Sequence, residues 1–166
     1  MCEFYMAMME KTIILETAQE LGGLQPQDPE LLQRNESVLK NLARQGVGPA
    51  LYTYGQELYS NIRQQSNKKA VKNSMKEAHA LLVSAAQSKV YSAYFFLGIM
   101  YLEGVNDVKR DYERGLDCLY KGAAGNNAYC FYYLAMLHAE GKIVSRDPKL
   151  EFLYLKRAAE EGFVQM

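Results

Sequence analysis

The sequence predicts an all-α solenoid of helix–turn–helix repeats, and three observations carry that prediction. The stretch LGIMYLEG at 97–104 returns as LAMLHAEG at 134–141, an offset of 37 residues. That offset is far longer than any helical or strand period and about right for one repeated helical hairpin. In both copies apolar and small residues fall at helical spacing, and a glycine stands where the helix should stop. No segment alternates apolar and polar residues as a half-buried strand would.

From the N-terminus, CEFYMAMMEKTIILETA predicts a helix over 3–21, closed by the break GGLQPQDP at 22–29. Residues 1–28 therefore read as an N-terminal helix and linker. Phe4, Tyr5, Met8, Met9, Ile13, Ile14 and Leu15 make that helix apolar enough to cap the array or to dock on another protein. LLQRNESVLKNLARQG predicts a helix over 29–45, the second helix of a degenerate half-repeat (29–46). It ends at Gly46, where the later units have Asn126 and Gly162.

A divergent repeat follows over 47–89, with helices at 49–63 and 71–87 and Gly55 in the small-residue position of Gly98. Its internal loop is longer by 6 residues, taken up in the polar run NIRQQSNKKAVKNS. The next repeat, 90–126, has helices at 91–103 and 112–124. Gly98 lets a neighbouring helix approach, Gly104 stops the first helix, and Asp111 caps the second. The last, 127–166, has helices at 128–140 and 148–161, with Ala135, Gly141 and Asp147-Pro148 in the same roles. Small pairs at Gly122-Ala123 and Ala158-Ala159 let each second helix pack on the following unit. The chain stops at EEGFVQM, where another unit would begin, so the array reads as unfinished at its C-terminus: it continues in the natural chain or another subunit covers it.

Bulk composition narrows the function classes. The apolar fraction of 49% excludes disorder, and 19 basic against 19 acidic side chains leave no net field for nucleic acid, an anionic membrane or an acidic substrate. The cluster Lys68, Lys69, Lys72 and Lys76 reads as a solvated loop and helix start. Three cysteines without CxxC spacing point to a reducing compartment and away from zinc or a disulfide framework, with a Cys118–Cys130 bridge as the alternative. The first twenty residues lack the basic opening of a secretory signal and the acid-free arginine pattern of a transit peptide. The longest apolar run, Tyr91 to Leu102, falls short of the ~18 residues a transmembrane span needs. The expectation is an intracellular protein, cytoplasmic by default, with an organellar or ciliary assembly also compatible.

With these units laid out, the chain resembles the Sel-one-like repeat (SLR) family, relatives of the tetratricopeptide (TPR) repeats. Ala93, Leu97, Gly98, Tyr101, Gly104, Val108, Asp111, Lys121 and Ala123 match the family pattern in one unit. Leu134, Gly141, Val144, Asp147, Arg157, Ala158, Ala159 and Gly162 match it in the next. Gly115 and Glu151 stand where alanine is usual, Asn126 where glycine is usual, and His138 where tyrosine is usual. The resemblance implies a right-handed α–α superhelix whose concave surface is built from the first helices, in an adaptor with no catalytic residue.

The residues themselves show no catalytic constellation, cofactor motif or metal site. His79 and His138 lie in different repeats without ligands at i±3 or i±4, and the glycines are dispersed rather than gathered into a phosphate loop. What stands out is excess apolar surface on the first helices. Tyr52, Phe95 and Tyr132 recur at one position, Gln56, Ile99 and Met136 one turn on, and Tyr59, Leu102 and Ala139 complete the stripe. This stripe is either core or a groove for a partner peptide or helix, in which aromatics and Met are favoured anchors. Tyr52, Gln56, Tyr59, Phe95, Ile99, Leu102, Tyr132 and Met136 are therefore the candidate partner-binding residues. The expected function is a non-enzymatic scaffold or adaptor subunit of a multi-subunit protein complex, without nucleic acid, cofactor or small-molecule substrate. The alternative is a small-ligand or redox-linked binding protein using Cys118, Cys130 and His138.

Overall fold

The computed structural model describes residues 29–62, 68–104 and 108–162, and among them seven helices and no strand. These are α1 (Pro29–Arg44), α2 (Gly48–Ile62), α3 (Lys68–Gln87), α4 (Ala93–Glu103), α5 (Tyr112–Ala124), α6 (Ala128–Glu140) and α7 (Pro148–Glu160). The helix expected over 3–21 and its linker lie outside the described residues. Every other expected helix forms, with ends shifted by at most three residues.

The packing is that of a solenoid. The most extensive contacts join α2 to α3, α4 to α5, and α6 to α7. Successive pairs are linked through α3–α4 and α5–α6, α1 lies on α2, and the first helices α4 and α6 also touch. Each unit thus leans on its neighbours in the chain, which is how a repeat array builds one continuous core.

Small residues set how closely the helices approach. A Cβ at Gly98 would lie 2.9 Å from Leu119 of the paired helix, and one at Gly115 would lie 2.6 Å from Leu102. Glycine at 115, in place of the usual alanine, is what admits Leu102. Between units, a Cβ at Gly122 would lie 2.3 Å from Cys130 Sγ. In this closely packed interior Leu82, Met100, Leu119, Leu134 and Cys130 are wholly buried, and each large apolar side chain contributes ~1.5–3 kcal/mol. Two hydrophobic clusters result, one over α1–α4 that also takes in Cys118 of α5, and one over α5–α7 that also takes in Leu102 of α4, and Phe95 and Tyr133 border both.

The helix ends repeat as well. Gly104 and Gly141 close α4 and α6 at φ 67° and 69°, their amides bonded to the Met100 and Leu137 carbonyls. Asp111 accepts from the Arg114 amide, and Asp147 from those of Lys149 and Leu150, behind Pro148. At the ends of the second helices Gly46, Lys89, Asn126 and Gly162 all take positive φ, at 79°, 63°, 57° and 86°. The first three share one pattern of bonds: Val47 N–H to Leu42 O, Val90 N–H to Ala85 O, and Asn127 N–H to Gly122 O, at 3.0–3.1 Å. This is a Schellman closure repeated through the array. Lys89 holds the position that the sequence pattern marks only by glycine or asparagine elsewhere.

Along α7 the register of α5 continues but the cover does not. Leu119 is fully buried, whereas Leu155 at the same register position is 39% exposed, and Phe152 reaches 71%.

Candidate protein-interaction surface

The first helices α2, α4 and α6 carry a ladder of aromatic rings. Tyr52 and Tyr59 of α2 lie 6.1 and 5.5 Å from Phe96 of α4. Phe96 meets Phe95 edge-on at 5.3 Å, and Phe95 reaches Tyr129 and Tyr133 of α6 at 5.4 and 6.2 Å. Such tilted and edge-to-face pairs lie within the favourable range of ring separations and stabilise by ~0.5–1.5 kcal/mol each. Tyr52, Phe95, Phe96, Tyr129 and Tyr133 are all half-buried, so each ring packs on its neighbours and keeps part of its surface open.

The ladder has an internal rule. Tyr52 and Phe95 hold the same register position in successive units, and so do Phe96 and Tyr133. The contacts Tyr52–Phe96 and Phe95–Tyr133, at 6.1 and 6.2 Å, are therefore one contact made twice. A residue of one unit meets the following position of the next, because neighbouring helices in the array are offset rather than in register. The stripe drawn from the sequence joins like positions, and so it includes Phe95 and Tyr132 but omits Phe96, Tyr129 and Tyr133. The signal that would have found two of these is the aromatic doublet before each motif leucine, Phe95-Phe96 and Tyr132-Tyr133.

The eight stripe residues separate by depth. Tyr59, Ile99 and Leu102 are buried at 8%, 9% and 4% exposure. For Leu102 the reason is local, since it turns onto Gly115 of its own pair. For these three the core alternative describes their placement. Tyr52, Gln56, Phe95 and Tyr132 are half-buried, and Met136 is 38% exposed. Gln56 Oε1 is buried without a hydrogen-bond partner.

The residues of the redox or ligand alternative are accounted for by packing. Cys118 and Cys130 are buried thiols belonging to different core clusters. Burial and the neighbouring Asp117 carboxylate push the Cys118 thiol up to about 11, away from the thiolate that redox chemistry needs. His138 donates from Nδ1 to the Ser145 carbonyl at 3.1 Å and stacks on Tyr154 at 5.8 Å, its Nε2 buried without a partner. No three His, Cys, Asp or Glu side chains gather around a common point among the described residues. None of the described helices is long and apolar enough to cross a membrane.

A nearest-neighbour array of paired helices with repeated caps defines the α-solenoid repeat class. Within that class, the family model for the Sel1 repeat matches residues 92–127 and 129–163, so these two units are similar to Sel1 repeats. The fold is shared with a Sel1 repeat protein from Oxalobacter formigenes, at 23% identity and a TM-score of 0.58 over 78% of this chain and 91% of the other. It is shared too with c5321, a protective antigen of uropathogenic Escherichia coli strains displaying an SLR fold. There the identity is 24% and the TM-score 0.67, over 92% of this chain but only 31% of the antigen. No curated protein sequence gives a significant match. Sel1 repeats generally serve as protein–protein interaction scaffolds and are typically non-catalytic.

Proposed function

We propose that this chain is a non-enzymatic adaptor that holds a segment of a partner protein against the aromatic face of its first helices, as a component of a larger assembly. The observation that carries this reading is the half-buried ring ladder from Tyr52 through Phe96 and Phe95 to Tyr133. These rings pack against the core and still keep part of their surface open, in a row along the first helices. Half-buried rings on a rigid scaffold are pre-ordered anchors, since little side-chain freedom is left to lose on binding. Tyr132 and Met136 extend this face on α6, Met136 offering the adaptable thioether common at protein-binding surfaces. The thiols of Cys118 and Cys130 and the imidazole of His138 have no part in it.

Affinity purification of the wild-type chain beside the double variant Tyr132→Ser/Met136→Ser tests the reading. A stoichiometric companion should be retained by wild type and by Phe152→Ser, a control on α7, and lost by the double variant at a melting temperature within a few degrees of wild type. Equal retention by all three chains would remove the α6 end of this face from the interface.

A further inference from the structure

A second recognition feature lies away from the ladder, at the opposite end of α4. Between α3, the C-terminal end of α4 and the connection into α5 is a groove of about 550 Å³, lined by Lys76, His79, Tyr101, Lys109, Arg110 and Arg114 together with Val108 and Asp111. That volume is within the range of specific ligand sites and far exceeds a single water or ion. The whole chain carries no net charge. Yet this groove gathers four permanent cations from two helices and a connection, against a single acid among its described lining residues.

The acid is already committed. Asp111 accepts the Arg114 amide at 3.0 Å and pairs with the Arg114 Nε at 3.4 Å. Arg110 and Arg114 keep donors facing the groove. Arg110 spends Nε and Nη2 on the Glu103 carbonyl at 3.3 and 3.0 Å, leaving part of its five-donor fork, and the Arg114 side chain is 71% exposed. The floor is fixed by a hydrogen bond of 3.0 Å between His79 Nε2 and the Tyr101 hydroxyl, with the two rings edge-to-face at 5.5 Å. His79 and Tyr101 thereby tie α3 to α4 and hold the groove's two walls at a set distance.

We infer that this groove binds an acidic peptide segment of a protein partner, its carboxylates taken by Lys76, Lys109, Arg110 and Arg114 and its backbone laid over the His79–Tyr101 floor. Peptide carboxylates fit better than a compact phosphate for a structural reason. The amides of Gly104, Asp111 and Arg114, which could have formed a phosphate cradle, already bond Met100 O, Tyr101 O and the Asp111 carboxylate. Recognition then falls mainly to side chains spread over several elements, a pattern matched by carboxylates spaced along a chain. The site is independent of the aromatic ladder, and either can fail without the other.

Fluorescence anisotropy of a fluorescein-labelled hexaglutamate peptide titrated with the full chain provides the test, with hexaglutamine as its neutral counterpart. Saturable, salt-sensitive binding to hexaglutamate alone is expected, weakened about tenfold or more in Lys109→Gln/Arg114→Gln. Lys121→Gln/Arg157→Gln, which removes two exposed cations elsewhere, should bind as wild type. Circular dichroism on all three chains guards against unfolding, and Lys76→Gln offers a second groove variant on a separate helix. Absence of saturable binding, equal loss in the control variant, or displacement of the peptide by inorganic phosphate more readily than by unlabelled hexaglutamate would each overturn the assignment.

Discussion

Lys89 is the residue at which this chain departs most clearly from its own grammar. Its backbone sits at φ 63° in the closure that Gly46, Asn126 and Gly162 make elsewhere, a region where an L side chain costs roughly 1 kcal/mol. Lys89→Gly should therefore stabilise the chain by ~0.5–1 kcal/mol, read as a higher urea midpoint at unchanged slope. A lower midpoint would mean that the lysine side chain supplies more than its backbone loses. His79 makes a second residue-scale prediction. Burial holds its pKa below the ordinary imidazole value of 6.5, so the unfolded chain takes up the proton first as pH falls. Stability is then fully present above pH 6.5 and declines as pH drops below it toward the folded-state value. Thermal melts from pH 7.5 to 5 should show that slope in wild type, and a shallower one in His79→Gln, whose amide still reaches Tyr101. At this scale the caps were legible in the sequence, because Gly and Asp state their roles through backbone chemistry. Lys89 was not, because nothing in a lysine announces a positive φ.

At the scale of elements, closeness of approach is written in single residues. Gly122 of α5 faces Cys130 of α6, and a methyl group at 122 would fall 2.3 Å from a sulfur that is wholly buried and has nowhere to move. Gly122→Ala should cost ~1–3 kcal/mol by overpacking, and Gly122→Ala/Cys130→Ala should recover part of it, a coupling that a double-mutant cycle measures. Additive losses would place the two helices further apart than described. Helix positions were readable from spacing alone: each expected span from residue 29 onward is matched, because leucines, small residues and stops recur unit by unit. Which face each helix turns outward was less readable. α4 is apolar on nearly every side, burying Ala93, Leu97, Gly98, Ile99, Met100 and Leu102, so its periodicity does not distinguish core from groove. Depth came from partners, as when Gly115 draws Leu102 inward.

For the molecule as a whole, the array arranges rings by offset rather than by register, and the sequence displays only register. Like positions line up on paper, whereas in the Tyr52–Phe96 and Phe95–Tyr133 contacts the touching positions are displaced by one residue, so Phe96 and Tyr133 joined the ladder only with the structure. The basic groove escaped the sequence for a related reason. Lys76 and Arg114 are far apart along the chain and read separately as solvated, and only the packing of α3 against α4 brings them to one hollow. Whether a partner binds the aromatic face of the first helices can be read by site-specific photo-crosslinking in the source cells. A photoreactive phenylalanine analogue is placed in turn at Tyr132, at Met136 and, on the exposed second helices, at Tyr120 and Phe152. Positions 132 and 136 should each yield a discrete heavier species, and positions 120 and 152 none. A partner captured only from positions 120 and 152 would contradict binding at the aromatic face.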